Sequence, residues 1–75
     1  MSSNDRIRLE IAFDGGQIVG VLVSAAVADE LERALAAGSE AAFGLDAEDG
    51  RYTLVLRRVV WAKRFARESR VGFGV

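Results

Sequence analysis

The sequence predicts a small α+β domain, in which an antiparallel sheet carries one amphipathic helix on one face. Three observations predict this fold: segments that alternate apolar and polar residues, two glycine-containing turn signals, and a single segment with helical periodicity. Their order along the 75-residue chain is ββαβββ. A strongly bent barrel built from the same strands is the alternative architecture.

The first two strands are predicted around a tight turn. Residues 6–13, RIRLEIAF, place the odd-numbered apolar residues on one side, as in a half-exposed strand. Asp14, Gly15 and Gly16 then supply residues that tolerate a positive φ, as a hairpin turn requires. Residues 17–23, QIVGVLV, are apolar on both sides, which predicts a strand covered on both faces, with Gly20 marking a bulge or a close approach.

The helix is predicted between two capping residues. Ser24 is the expected N-cap of the segment AAVADELERALAA, and Gly38 stands at the C′ position. Val27, Leu31 and Leu35 share one face at helical spacing, so this helix should cover one face of the sheet.

The second half of the chain predicts three more strand segments. Residues 40–47, EAAFGLDA, form a weaker strand, and Glu48–Gly50 is a second hairpin signal. Residues 51–65 follow without glycine or proline and are too long for one straight strand of a small domain. Their apolar positions change from even to odd numbers, which predicts a bend or bulge at Arg57-Arg58.

Length and apolar content together predict self-association. The chain is one domain near the lower size limit, with residues 1–5 expected to be disordered. Apolar residues and glycine make up about 60% of it, against a typical 45–50%. A single helix covers only one sheet face, so we expect a homo-oligomer or another protein partner on the other. The predicted interface consists of Val19, Val21, Val23, Trp61, Phe65, Val71 and Phe73.

The residue types argue against most catalytic chemistry. The sequence contains no cysteine and no histidine, which excludes disulfides, thiol chemistry, the usual zinc ligand sets and a histidine-activated hydroxyl. The acidic turn with Asp46, Glu48 and Asp49 is the best acid–base or calcium candidate, but its spacing matches no EF-hand loop. We therefore expect no catalytic residue, no metal and no cofactor, and a protein that is not an enzyme.

Charge is distributed unevenly although the net charge is only −1. Residues 29–50 carry seven acids and one arginine, whereas residues 57–75 carry six bases and one acid. Bases interleaved with aromatic rings are typical of single-stranded nucleic-acid binders, which gives the alternative function. Its candidate residues are Arg57, Arg58, Lys63, Arg64, Arg67 and Arg70. The low net charge favours instead a core position for Trp61 and Phe65, with the arginines on a solvated edge.

The amino-terminal segment MSSNDRIRLE lacks the apolar centre of a signal peptide, and no segment approaches the length of a membrane span. The sequence therefore predicts a cytoplasmic protein without a membrane partner.

Two resemblances add to this interpretation. The stretch from DGGQIVGVLVS through the helix to EDGRYTLVLRRVVWAKRF and RVGFG resembles short actinobacterial proteins of a domain-of-unknown-function family ending in Val-Gly-Phe-Gly, which implies no activity. Gly15, Ile18 and Gly20 are similar to the glycine-hydrophobe-glycine pattern in the first hairpin of Sm-like RNA-binding proteins. That second resemblance implies a strongly bent, Sm-like or SH3-like barrel that forms rings and binds RNA.

Overall fold

A computed structural model describes residues 6–65, and these residues have the predicted α+β architecture in the predicted ββαβββ order. The predictions for residues 1–5 and for Arg67, Arg70, Val71 and Phe73 lie outside the described residues. The elements are β1 (Arg6–Phe13), β2 (Ile18–Ser24), α1 (Ala25–Ala36), β3 (Ala42–Ala47), β4 (Gly50–Val55), a short 3₁₀ turn (Leu56–Arg58) and β5 (Val59–Arg64).

The five strands form two antiparallel sheets. One has three strands in the order β2-β1-β5, and the other is the β3–β4 hairpin. The described strands therefore do not close into a single barrel, which excludes a closed form of the alternative architecture. The 3₁₀ turn links the two sheets, at the Arg57-Arg58 position where the sequence predicts a bend.

Both predicted hairpin turns are confirmed. In the first, Gly16 has a φ of 91°, and the backbone N–H of Phe13 donates to the carbonyl of Gln17 at 2.9 Å. In the second, Gly50 has a φ of 145° and follows a two-residue connection between β3 and β4. Glycine is needed at both positions because residues with a Cβ rarely adopt a positive φ.

Both predicted caps of α1 are also confirmed. The Ser24 hydroxyl accepts a hydrogen bond from the backbone N–H of Val27 at 3.2 Å, which satisfies one free donor of the first turn. At the other end Gly38 has a φ of 71°, and the N–H groups of Gly38 and Ser39 donate to carbonyls of the last turn. The helix limits are thus fixed by local sequence.

The core lies between one face of the three-stranded sheet, which we call the inner face, and a layer formed by α1 and the β3–β4 hairpin. Every main element contributes to it except β5, whose Val59 and Ala62 pack against its margin. The buried core residues are Leu9, Ile11, Val21, Val23, Ala28, Leu31, Leu45, Leu54 and Leu56.

Two predictions about β2 are wrong. Val21 and Val23 are 5% and 0% exposed within the protomer, and Val19 packs against the same core, so these valines do not form an exposed interface. Ile18 and Leu22, on the other side of β2, are 57% and 39% exposed, so the strand is covered on one face only. The helix and hairpin cover the valine side, because an apolar strand does not by itself specify which side is buried.

Candidate interaction surface

The side of the three-stranded sheet that faces away from α1 is its outer face. Strand pairing places three side-chain rows across it, because directly paired antiparallel residues share a face. The three rows differ in composition: the first is apolar, the second carries opposite charges, and the third combines an arginine with aromatic and aliphatic groups. The outer face consists of Ile18, Ala12 and Trp61, then Gly20, Glu10 and Lys63, then Leu22, Arg8 and Phe65.

A β-bulge sends Trp61 to this outer face. Phe13 pairs with Val59, but the preceding residue of β1, Ala12, pairs with Trp61, so Val60 is an extra residue in β5. The bulge changes which side of the sheet the odd-numbered residues occupy after the predicted bend. Trp61 is consequently 43% exposed, and the interpretation that places it in the core is wrong.

Exposed apolar side chains concentrate at one end of the outer face. Ile18 is 57% exposed and Trp61 43% exposed, and Ala12 lies between them in register. Val60, the extra residue of the bulge, is 63% exposed beside Trp61. These residues form an apolar strip across the sheet that extends to its β5 edge.

Phe65 fixes two cationic side chains at the other end of β5. The guanidinium carbon of Arg8 lies 5.4 Å from the ring centroid and the Lys63 ammonium 4.4 Å, both within the range of cation–π attraction. The backbone N–H of Phe65 donates to the Arg8 carbonyl at 3.0 Å, which continues the β1–β5 pairing. Phe65 is therefore partly buried by charged neighbours rather than by the core.

Two of the candidate anion-binding arginines are engaged by acids of the same chain. Arg64 points toward α1, where it lies 2.8 Å from Asp29 and 3.4 Å from Glu32. The hydrogen bond to Asp29 raises the pKa of the Arg64 guanidinium, so this group stays charged. Arg58 lies 3.1 Å from Asp14 in the first hairpin turn.

Among the candidate anion-binding residues in the described range, Lys63 is therefore the one that shares a face with Trp61. Arg57 lies in the 3₁₀ turn and is exposed.

The acidic turn of the second hairpin is occupied by internal hydrogen bonds. Asp46 pairs with Arg51 at 2.8 Å, and the Tyr52 hydroxyl donates to Asp49 at 2.7 Å. The hydrogen bond to Asp49 is the main cause of a raised pKa at Tyr52, and burial and the Asp49 charge act in the same direction. Within residues 6–65, no group of three or more acidic side chains is arranged to hold a metal ion.

Two surface grooves flank the sheet. The larger, about 430 Å³, lies beside the first hairpin turn and is lined by residues that include Phe13, Gln17 and Val55. The smaller, about 290 Å³, has Arg8 on one side and Glu48 on the other. The larger groove is also lined by Thr53 and Asp14, and the Asp14 carboxylate is paired with Arg58 at 3.1 Å.

The two edges of the three-stranded sheet differ. At the β2 edge the Leu22 carbonyl accepts a hydrogen bond from the backbone N–H of Glu48 at 2.8 Å, so the second hairpin protects it. At the other edge, β5 pairs with β1 on one side and with no strand of residues 6–65 on the other. The candidate surface therefore combines an exposed apolar strip with an open strand edge.

Sequence reasoning proposed Trp61, Phe65 and Lys63 as site residues but missed the other members of this surface, among them Arg8, Ile18, Leu22 and Val60. The alternation of β1 already placed Arg8 on its polar side, and that signal could have assigned it. No such signal existed for Ile18 and Leu22, because β2 is apolar at nearly every position.

Comparison with protein-family models, with curated proteins and with solved structures finds no match for this chain. No helix within residues 6–65 is long and apolar enough to cross a membrane. The functional argument therefore depends on the geometry of the outer face and the β5 edge.

Proposed function

We propose that this protein is a non-enzymatic module that assembles with copies of itself, and that the apolar strip and the adjoining β5 edge form its contact surface. The observation that carries the proposal is the exposure of Ile18, Val60 and Trp61 at 57%, 63% and 43%, all at the same end of the three-stranded sheet. Large apolar residues clustered at the surface of a small domain are typical of protein contact sites.

Charge favours a second copy as the partner. The outer face carries both signs of charge, with Arg8 and Lys63 beside Glu10, so it does not repel a second copy as a face of one sign would. The sequence halves also differ in sign, with acids concentrated in residues 29–50 and bases in residues 57–75. One chain thus supplies both components of a complementary contact.

Native mass measured by light scattering tests this proposal. We expect a mass above the 8.1 kDa of one chain, increasing with concentration through the micromolar range. Replacing Trp61 by lysine should return the mass to that of a monomer, because it places a charge in the apolar strip. Val55→Lys is the matched control: Val55 is 45% exposed but lies on the other sheet, and its replacement should leave the mass unchanged.

A wild-type protein that stays monomeric at every accessible concentration would overturn the proposal. Equal effects of the two lysine substitutions would also contradict it, because they would show that the surface of assembly is not the apolar strip.

We infer a second candidate function, the binding of single-stranded nucleic acid, from the side chains that share the outer face. Trp61 offers an exposed ring for base stacking, and Arg8 and Lys63 lie on the same face. Glu10 is the one acid among the outward-facing residues of these strands, and Arg8 neutralises it at 3.1 Å. The position of Trp61 on the surface favours this function more than a core position would.

Fluorescence of Trp61, the only tryptophan, tests nucleic-acid binding directly. We expect quenching when a short oligothymidylate is added at low salt, with log affinity falling by about 0.7 per phosphate contact for each tenfold rise in salt. Lys63→Glu should weaken binding several-fold. Arg51→Glu makes the same charge change on the other sheet, where Arg51 pairs with Asp46, and should have little effect. Unchanged fluorescence at low salt would overturn this candidate.

A further inference from the structure

The edge of β5 that faces away from β1 is covered by no strand of residues 6–65 and has a defined set of backbone groups that could pair with another strand. The N–H of Phe65 points toward β1, where it donates to Arg8. Because backbone groups of successive strand residues point in opposite directions, those of Lys63 and Trp61 also point toward β1, and those of Ala62 and Arg64 point away from it. The outward N–H and C=O groups face no strand of residues 6–65.

The charged residues of β5 do not block this edge. Edge strands are commonly protected by lysine, proline or charged side chains that extend past them. Here the Lys63 ammonium is held over the Phe65 ring on the outer face, and the Arg64 guanidinium is held by Asp29 on the inner side. The Lys63 charge thus lies on one side of the sheet and the Arg64 charge on the other, so neither extends past the edge. The chain also contains no proline.

We propose that β5 pairs antiparallel with β5 of a second copy, about a two-fold axis at Ala62, and so joins two three-stranded sheets into one of six strands. This inference rests on the proposed self-association and specifies its geometry. Pairing Ala62 with Ala62 of the second copy uses the outward N–H and C=O groups of both. It also pairs residue 61 with residue 63 of the other copy, and residue 60 with residue 64.

The side chains favour this register over its neighbours. It places each Lys63 directly opposite the exposed indole of Trp61 in the other copy, so the ammonium held by Phe65 of its own copy has a second aromatic ring across the interface, twice in the dimer. A two-fold axis at Lys63 would place two ammonium groups directly opposite each other, which is destabilising. An axis at Trp61 would pair Lys63 with Val59 and so would lose both lysine–indole pairings. The Ala62 register pairs residues 60–64 of the two copies without opposing like charges.

Disulfide formation between engineered cysteines tests this register directly, because the native chain has no cysteine. In the proposed dimer residues 61 and 63 of different copies form a non-hydrogen-bonded pair, with Cα atoms about 4.5 Å apart. A disulfide can bridge that distance. Trp61→Cys and Lys63→Cys proteins, mixed in a glutathione redox buffer, should therefore form a mixed disulfide. Each variant alone should remain largely reduced.

Lys63→Cys mixed with Val55→Cys is the control, since Val55 lies on the other sheet, and we expect no disulfide there. A disulfide of Trp61→Cys with itself, or of Lys63→Cys with itself, would overturn the proposed register. Disulfides in all mixtures alike would show random collision and would overturn the edge pairing.

Backbone N-methylation supplies a second test that leaves every native side chain in place. A chain of 75 residues is accessible to chemical synthesis, and N-methylation of Ala62 removes only the N–H that points away from β1. We expect the circular dichroism spectrum of the fold to persist and the assembly to dissociate to the monomer mass. A methylated protein that keeps its fold and its native mass would overturn edge pairing.

The two proposals fail in different ways. If wild-type protein is monomeric by light scattering, self-association itself is wrong. If it assembles but Trp61→Cys and Lys63→Cys do not cross-link, self-association stands and the contact lies elsewhere than the β5 edge.

Discussion

The two faces of the three-stranded sheet are built from the same strands but have different surroundings. On the inner face, Leu9, Ile11 and Val23 are 0% exposed beneath α1 and the second hairpin. On the outer face, Ile18 and Trp61 remain 57% and 43% exposed. The protomer thus completes its core with one face only. The apolar residues of the other face add little to that core, which leaves them available for contact with a partner.

The largest expected effect is on stability. The same leucine-to-alanine substitution should destabilise the fold far more on the inner face than on the outer face. Leu9→Ala removes a fully buried side chain from the inner face and should lower the free energy of unfolding by about 2–5 kcal/mol. Leu22→Ala, on the 39% exposed outer side, should cost less than about 1 kcal/mol. Urea denaturation measured well below the assembly concentration gives both values. Comparable losses would mean that the outer face is buried in solution.

The first half of the fold could be predicted because its signals are local. Ser24 and Gly38 limit the helix through hydrogen bonds to residues a few positions away, and Gly16 permits the first turn. The alternation of β1 likewise assigns its faces without knowledge of the neighbouring strands. Such features depend on a short stretch of chain, so the rest of the fold is not needed to predict them.

The candidate surface could be predicted only in part, because it depends on pairing between distant segments. The extra residue Val60 is visible only when β5 is aligned with β1, and it determines that Trp61 faces outward. Strand alternation already places Arg64 on the face opposite Lys63, but the partners of Arg64 lie in α1, more than 30 residues earlier, so the sequence alone does not show that it is paired. β2 was ambiguous because both of its sides are apolar.

A smaller loss of stability is expected from substitution of Arg64. This residue and its neighbour Lys63 extend to opposite faces of the sheet. Arg64→Met removes the ion pairs that connect β5 to α1 on the inner side, at 2.8 Å from Asp29 and 3.4 Å from Glu32. It should lower the melting temperature by less than Leu9→Ala does, and the difference from wild type should shrink in about 1 M salt, where exposed charges are screened. Lys63→Met is the matched control on the outer face and should change the melting temperature less. A salt-independent loss for Arg64→Met would show that packing of its stem, not charge, connects the strand to the helix.

The smallest expected effect on stability comes from the hydrogen bond of the Tyr52 hydroxyl. The ring of Tyr52 packs against the core, and its hydroxyl donates to Asp49 at 2.7 Å. This hydrogen bond raises the pKa of Tyr52 above its ordinary value of 10.0, because it favours the protonated phenol. The associated stability is therefore fully present below pH 10 and is lost as the pH rises through the higher pKa of the folded protein. Ultraviolet absorbance follows the titration without interference, since Tyr52 is the only tyrosine. Asp49→Asn should move the pKa back toward 10.0, and Asp46→Asn, in the same hairpin, should not. If Asp49→Asn left the pKa unchanged, burial of the ring rather than the carboxylate would be its cause.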